Sequence, residues 1–219
     1  MSWAVGNSCI ATGAGASGSI ASPSYTSVLG NLILVGVRQS TTGTTTTGVT
    51  DTLGNTYYQL GTIGSSGRLD LWACFGSIGS GSNTVTAAFS ATPSNRGIVV
   101  TEFSGGRGIS LQDVLTPTTA TSSTITSAAH NALSAASLEV WYADVNTAAT
   151  TWTAGSGFAI TQQDATAGAM QYQVFSGVQQ GITTQFTNSN SGTIKHYIVA
   201  VFTEDQGAGG GGGSFGSFG

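Results

Sequence analysis

Nowhere does this 219-residue chain repeat apolar side chains at the interval of a helix face for long enough to make a helix. Short apolar or alternating runs recur instead, cut off by Gly, Ser, Asn and Pro, and that is the rhythm of strands and tight turns. "NLILVGVRQ" (31–39) is short, apolar and β-branched, as a strand buried on both faces would be. "GRLDLWACFG" (67–76) alternates, with Leu69, Leu71, Ala73 and Phe75 on one face and Asp70, Trp72 and Cys74 on the other. "NTVTAAFS" (83–90), reached through the hairpin connection "SIGSGS", continues the pattern. So do "GIVVTEFSG" (97–105), "SLEVWYAD" (137–144), "AMQYQVFSG" (169–177), "ITTQFTNS" (182–189) and "TIKHYIVAVFTE" (193–204). The expected fold is all-β: an antiparallel two-sheet sandwich, jelly-roll-like, with an extended N-terminal segment and a Gly-rich C-terminal tail. Residues 1–15 read as a first strand or an arm, 16–204 as the sandwich domain, and 205–219 as an assembly tail.

Only 6% of residues are charged, against about 25% for an ordinary soluble domain. A monomer usually keeps itself soluble with scattered charge. With a mean hydropathy of +0.15, much of this surface is expected to be covered by neighbours. The net charge of −4, with five Lys plus Arg, argues against a nucleic-acid partner, which needs a basic footprint. No apolar run is long enough to span a membrane as a helix. "MSWAVGNSCIATG" lacks the charged and apolar regions of a secretory signal, so export is expected after loss of a leader or by another route such as lysis. Cys9 and Cys74 are either two buried thiols or one disulfide. The Thr-rich stretches 41–50 and 116–127 read as exposed linkers or as O-glycosylated segments. No Asn-x-Ser/Thr sequon is present.

"GVTDTLGNTYYQLG" (48–61) carries a resemblance. A strand ending in Val-Thr-Asp, a Gly-Asn turn and a second strand opening on Tyr is similar to a β-sandwich domain of phage virion or tail-associated proteins and of large secreted bacterial proteins. "GNLILVGV" stands before this motif, and "RLDLWACFGSIGSGSNTVTAAFS" and "VVTEFSG" follow it, so the likeness covers about residues 16–105. Such domains are structural or adhesive modules, and the resemblance carries over no catalytic residue. Read from its residues alone, the motif is a turn: Asp51 accepts backbone amides, while Gly54 and Asn55 tolerate positive φ.

Chemistry is sparse. Asp70, Glu102 and Glu139 fall on strands, but nothing local pairs two carboxylates for hydrolysis. They are expected on solvated faces or beside Arg38, Arg68, Arg96 and Arg107. His130 and His196 are isolated, His196 being expected to point outward, and no catalytic, cofactor-binding or metal-binding residue is expected. No G-x-S-x-G follows a strand, and "GAGGGGG" lacks the Lys-Ser/Thr of a phosphate loop. The Trp and Tyr residues are expected in the core, Trp72 and Trp141 included, with a sugar-stacking platform as the alternative. The expected function is therefore a non-enzymatic subunit that polymerises with copies of itself in an extracellular filament or a phage virion. Trp3, Val5 and Ile10 at one end and Phe215 and Phe218 at the other are the expected assembly contacts, by strand addition or as apolar pegs. The alternative is an adhesin module that binds surface glycans.

Overall fold

The computed structural model describes residues 3–15, 17–64, 68–105, 108–134, 136–145, 151–191 and 194–204. Among these the chain is all β, with no helix. The first ten strands are β1 (Ala4–Ala14), β2 (Ser19–Ala21), β3 (Tyr25–Ser27), β4 (Leu32–Gln39), β5 (Thr46–Asp51), β6 (Tyr58–Ile63), β7 (Arg68–Phe75), β8 (Gly81–Asn83), β9 (Val85–Phe89) and β10 (Asn95–Ser104). Ten more follow: β11 (Ile109–Ala120), β12 (Thr124–Thr126), β13 (His130–Ala132), β14 (Ser137–Val145), β15 (Trp152–Ala154), β16 (Ala159–Asp164), β17 (Gly168–Phe175), β18 (Gln179–Ile182), β19 (Gln185–Asn188) and β20 (Lys195–Glu204).

The pairing is that of a long hairpin rolled up: β1 with β10, β2 with β9, β3 with β8, β4 with β7. It then repeats as β11 with β20, β12 with β19, β13 with β18, β14 with β17. Each set forms a large sheet, in the order β1-β10-β4-β7-β6 or β11-β20-β14-β17-β16, with smaller sheets completing its sandwich. The antiparallel sandwich expected from the sequence is what the chain forms, and it is built twice over.

The two rolls are joined by a common core. Leu32, Leu34, Leu71, Val99 and Phe103 of the first large sheet meet Leu138, Val140, Tyr142, Ile198 and Phe202 of the second. The opposite face of each large sheet closes on its own small sheets. Ile33, Val35 and Val37 join Val85 and Ala87 in the first roll, while Trp141, Ala143 and Val145 join Trp152 and Phe186 in the second. This is why β4 and β14 are buried along their whole length: each lies between two cores, so alternation is lost.

Leu32 pairs with Phe103 as Leu138 pairs with Phe202, which sets the equivalence of the rolls. Counting along β4 and β14 from those residues, Gly36 matches Tyr142 and Arg38 matches Asp144. These matched residues touch. An added Cβ on Gly36 would stand 2.5 Å from the Tyr142 ring, and Arg38 Nε pairs with Asp144 Oδ2. Contact between equivalents is the signature of an approximate two-fold axis running along the strands between the sheets. The edges obey it too: β1 lies along β16 and β6 along β11, so the large sheets cover each other's free edges.

β1 completes the first large sheet. Trp3 is buried in the shared core, its Nε1 donating to Ala136 O at 2.9 Å, and Val5 and Ile10 pack on the same core. Gly105 lies flat on the Trp3 ring, where a Cβ would come within 2.7 Å. Both cysteines are free thiols, and burial pushes the Cys74 thiol up to about 11.

Candidate assembly surface

The large apolar side chains that remain exposed are concentrated at one end. Val28 and Leu29 precede β4, Ile78 follows β7, Leu133 precedes β14, Val178 follows β17 and Leu111 opens β11. All six lie at the end where β4 and β14 begin and β10 and β20 finish. The indole of Trp3, bonded across the rolls to Ala136 just before β14, shows that this is one end of the molecule. Tyr58 stands just inside it against Phe75, and Ile194 lies at the opposite end, next to Lys195. Leu29 and Ile78 are 64% and 67% exposed.

These loops are braced from below. In the first roll Gly30, at φ 85°, lets the chain turn, and its N–H donates to Ser77 O at 2.8 Å while Ser77 N–H donates to Asn31 O at 2.8 Å. The turn motif does the rest. Asp51 Oδ1 accepts from Leu53 and Asn55 amides, and its Oδ2 accepts from Asn55, Tyr57 and Asn83 side chains. Gly54 supplies φ 77°. Asn55 Oδ1 then accepts the Ile78 amide at 2.8 Å. Burial works to raise the Asp51 carboxyl, but the bonds from Asn55, Asn83 and Tyr57 outweigh it and hold it below the ordinary value.

Glu102 takes the Val28 amide at 2.8 Å and the Ser27 hydroxyl at 3.1 Å on Oε1. Its own burial pushes the carboxyl up. In the second roll Glu139 sits on the corresponding rung but on the neighbouring strand: Glu102 pairs with Ile33, and Glu139 with Val201. Glu139 binds Trp141 Nε1 at 2.7 Å, the Thr184 hydroxyl, and His130 Nε2 at 2.9 Å. His130 Nδ1 faces Ala128 O at 3.1 Å, so a doubly protonated ring satisfies both nitrogens. Burial opposes that charge, yet the Glu139 bond prevails and raises the His130 pKa. Gln112 accepts the Leu133 amide at 2.9 Å.

These placements correct several expectations. Asp70, Glu102 and Glu139 are buried, not solvated; among the described residues only Asp70 of the three meets an arginine, Arg68, at 3.0 Å. A carboxylate on a strand with an apolar opposite face looks solvated in sequence, but here both faces of the sheet are covered. His130 is not isolated, and His196 points inward to Asp144 at 3.1 Å. Trp3, Trp141 and Trp152 are buried, with Tyr57, Tyr142 and Tyr197, and Trp72 is half-buried. Phe215, Phe218 and Arg107 lie outside the described residues. Reading the sequence missed Leu29, Ile78, Leu133 and Val178 because each stands in a Gly/Ser-rich turn. An apolar residue in a turn, where no strand can bury it, was the available signal.

Among the described residues, the opposite end carries a polar cleft. Gln39, Thr41–Thr45, Gly64 and Arg68 line a cleft of about 340 Å³. Asp70 beneath it accepts from Arg68 Nε, Gln59 and Thr46. Arg38, Asp144 and His196 form the charged contact between rolls at this end. Among the described residues no cluster of His, Cys, Asp and Glu suits a metal ion, and no helix is long and apolar enough to cross a membrane. Comparison with protein families, with curated proteins and with solved structures finds no match for this chain.

Proposed function

We propose that this protein is a non-enzymatic structural subunit that assembles with copies of itself into an extracellular filament or a phage virion component. The observation that supports this most is the apolar end: exposed Val28, Leu29, Ile78, Leu111, Leu133 and Val178 from both rolls, with the Val28, Ile78 and Leu133 amides braced by buried or neighbouring side chains. A preformed apolar patch loses little conformational freedom on association. The 6% charge content adds to the case, because a surface so poor in charge has little else to keep copies apart. The terminal residues 205–219, with Phe215 and Phe218, supply further apolar contacts in this reading. Sedimentation and electron microscopy of the purified protein test it. Ordered fibres, particles or defined oligomers of this chain are expected; a monomer at every concentration would end the proposal.

A second reading, a carbohydrate-binding adhesin module, draws support from the polar cleft beside Arg68 and no longer from a stacking platform, since most of the Trp and Tyr rings are buried. A glycan array separates the two: specific binding lost in Arg68→Ala but kept in Leu29→Lys would favour the adhesin.

A further inference from the structure

We infer that the apolar end is a self-docking surface that takes the same end of a second copy, in a closed two-fold pair sealed by exchange of residues 205–219. This rests on the self-assembly reading above and specifies its contact.

The first argument is where the connecting segment starts. β20 finishes at Glu204, paired with Ile109, two residues from exposed Leu111. Residues 205–219 therefore begin at the apolar end itself. Phe215 lies eleven positions beyond Glu204, a reach of up to about 36–40 Å. Four packed sheets span roughly 30 Å, so Phe215 and Phe218 can reach any of the apolar loops on either copy.

The second argument is chemical matching. A head-to-tail contact would press the apolar end of one copy on the end of the next that carries the cleft of Arg68 and the Thr41–Thr45 loop. That would bury polar groups against Leu29 and Ile78 without partners. Apolar end against apolar end leaves no such mismatch.

The third is symmetry. When a connecting segment and its receptor share one end of a molecule, reciprocal exchange between two copies satisfies both and closes. Each apolar end also carries the feature twice, Val28/Leu29/Ile78 from one roll and Leu133/Val178 from the other, because the internal two-fold axis emerges there. Once the ends touch, docking of the Phe-bearing segment is intramolecular and gains from a high effective concentration. Growth into a longer assembly then needs a second, different contact.

The experiment uses the full chain. A photo-crosslinking p-benzoylphenylalanine replaces Phe218, and equal amounts of ¹⁵N-labelled and unlabelled protein are mixed. Crosslinks joining a heavy to a light chain, from position 218 to the loops around Leu29 or Leu133, are expected. Sedimentation equilibrium should show a two-copy species whose dissociation constant rises at least tenfold in Phe215→Ser/Phe218→Ser and in Leu29→Lys/Leu133→Lys. Circular dichroism confirms that these exposed substitutions leave the fold intact. Crosslinks only within one chain would overturn the inference, as would crosslinks to the Thr41–Thr45 end. In either case, fibres or oligomers that persist would leave the subunit reading standing. A monomer throughout would sink both.

Discussion

At the scale of single residues, the loops of the apolar end depend on a few buried acceptors. Asp51 takes five hydrogen bonds, among them those of fully buried Asn83 and of Tyr57. Asp51→Ala orphans those donors and should cost about 2–4 kcal/mol. Because the folded carboxyl lies below its ordinary value of about 3.9, its contribution is present above that pH and is lost as pH falls through the lower folded value. Urea unfolding as a function of pH should show this acid limb flattened in Asp51→Ala. Glu102 acts in the opposite sense: raised by burial, it makes stability fall as pH rises from about 4.3 through its folded value. His130, bonded to Glu139, adds a dependence of its own through its imidazole. Raised above about 6.5, His130 contributes fully below that pH, and the contribution goes as pH rises through the folded value. His130→Ala should remove this loss of stability above about pH 6.5 and leave the acid limb. A limb unchanged in its variant would show that the bond does not govern it.

Between elements, the rolls meet so closely that two glycines are required. A Cβ at Gly36 would stand 2.5 Å from the Tyr142 ring, and one at Gly97 only 2.3 Å from the Ala167 backbone. Tyr142 is fully buried and donates to Ala167 O at 2.6 Å, so neither it nor that loop can swing aside freely. Gly36→Ala should destabilise by about 1–3 kcal/mol through overpacking, and Tyr142→Ala by about 3–5 kcal/mol through the cavity it leaves. The double variant should be more stable than the sum predicts, by about 1 kcal/mol or more, since the new methyl occupies the vacated space. Gly97→Ala faces backbone, so trimming Tyr142 should not rescue it. Denaturant midpoints of the four variants test the scheme, and strict additivity for Gly36 with Tyr142 would refute the contact.

For the whole molecule, the decisive fact is that neither roll owns the central core. Leu34 and Val99 of one large sheet pack in a single core with Tyr142 and Ile198 of the other, and removing either roll would expose the other's inner face. Unfolding should therefore be a single transition, with calorimetric and van't Hoff enthalpies equal. Two resolved transitions would show that the rolls are separable. Arg38 ties them at the polar end, bonded to Asp144 and to Thr166 O, with His196 on the other Asp144 oxygen. Arg38→Ala leaves that buried carboxylate short of its main partner and should cost about 3–5 kcal/mol, still within one transition.

How much of this was legible follows from what each signal measures. Apolar runs at 31–39, 67–76, 97–105, 137–144, 169–177 and 193–204 are strands in the structure as in the sequence, because a period of two and β-branched side chains are local properties. The run 182–189 reads as one strand, but β18 ends at Ile182 and β19 starts at Gln185. The Asp51–Asn55 turn was legible for the same local reason. The duplication was not. Leu32 and Leu138 agree, but Ile33 answers to Glu139, Glu102 to Val201 and Gly36 to Tyr142. Across a two-fold axis, a gap on one side is filled by bulk on the other, and a buried acid on one strand serves as well as one on its neighbour. Shape complementarity between the rolls thus erased the repeat from the sequence. The sequence by itself determined that the chain would be strands, turns and a charge-poor surface, since those depend on nearest neighbours along the chain. Only the tertiary structure decided that the acids would be buried, that the histidines would turn inward, and that Leu29, Ile78, Leu133 and Val178 would meet at one end, because each depends on what packs against it from far along the chain.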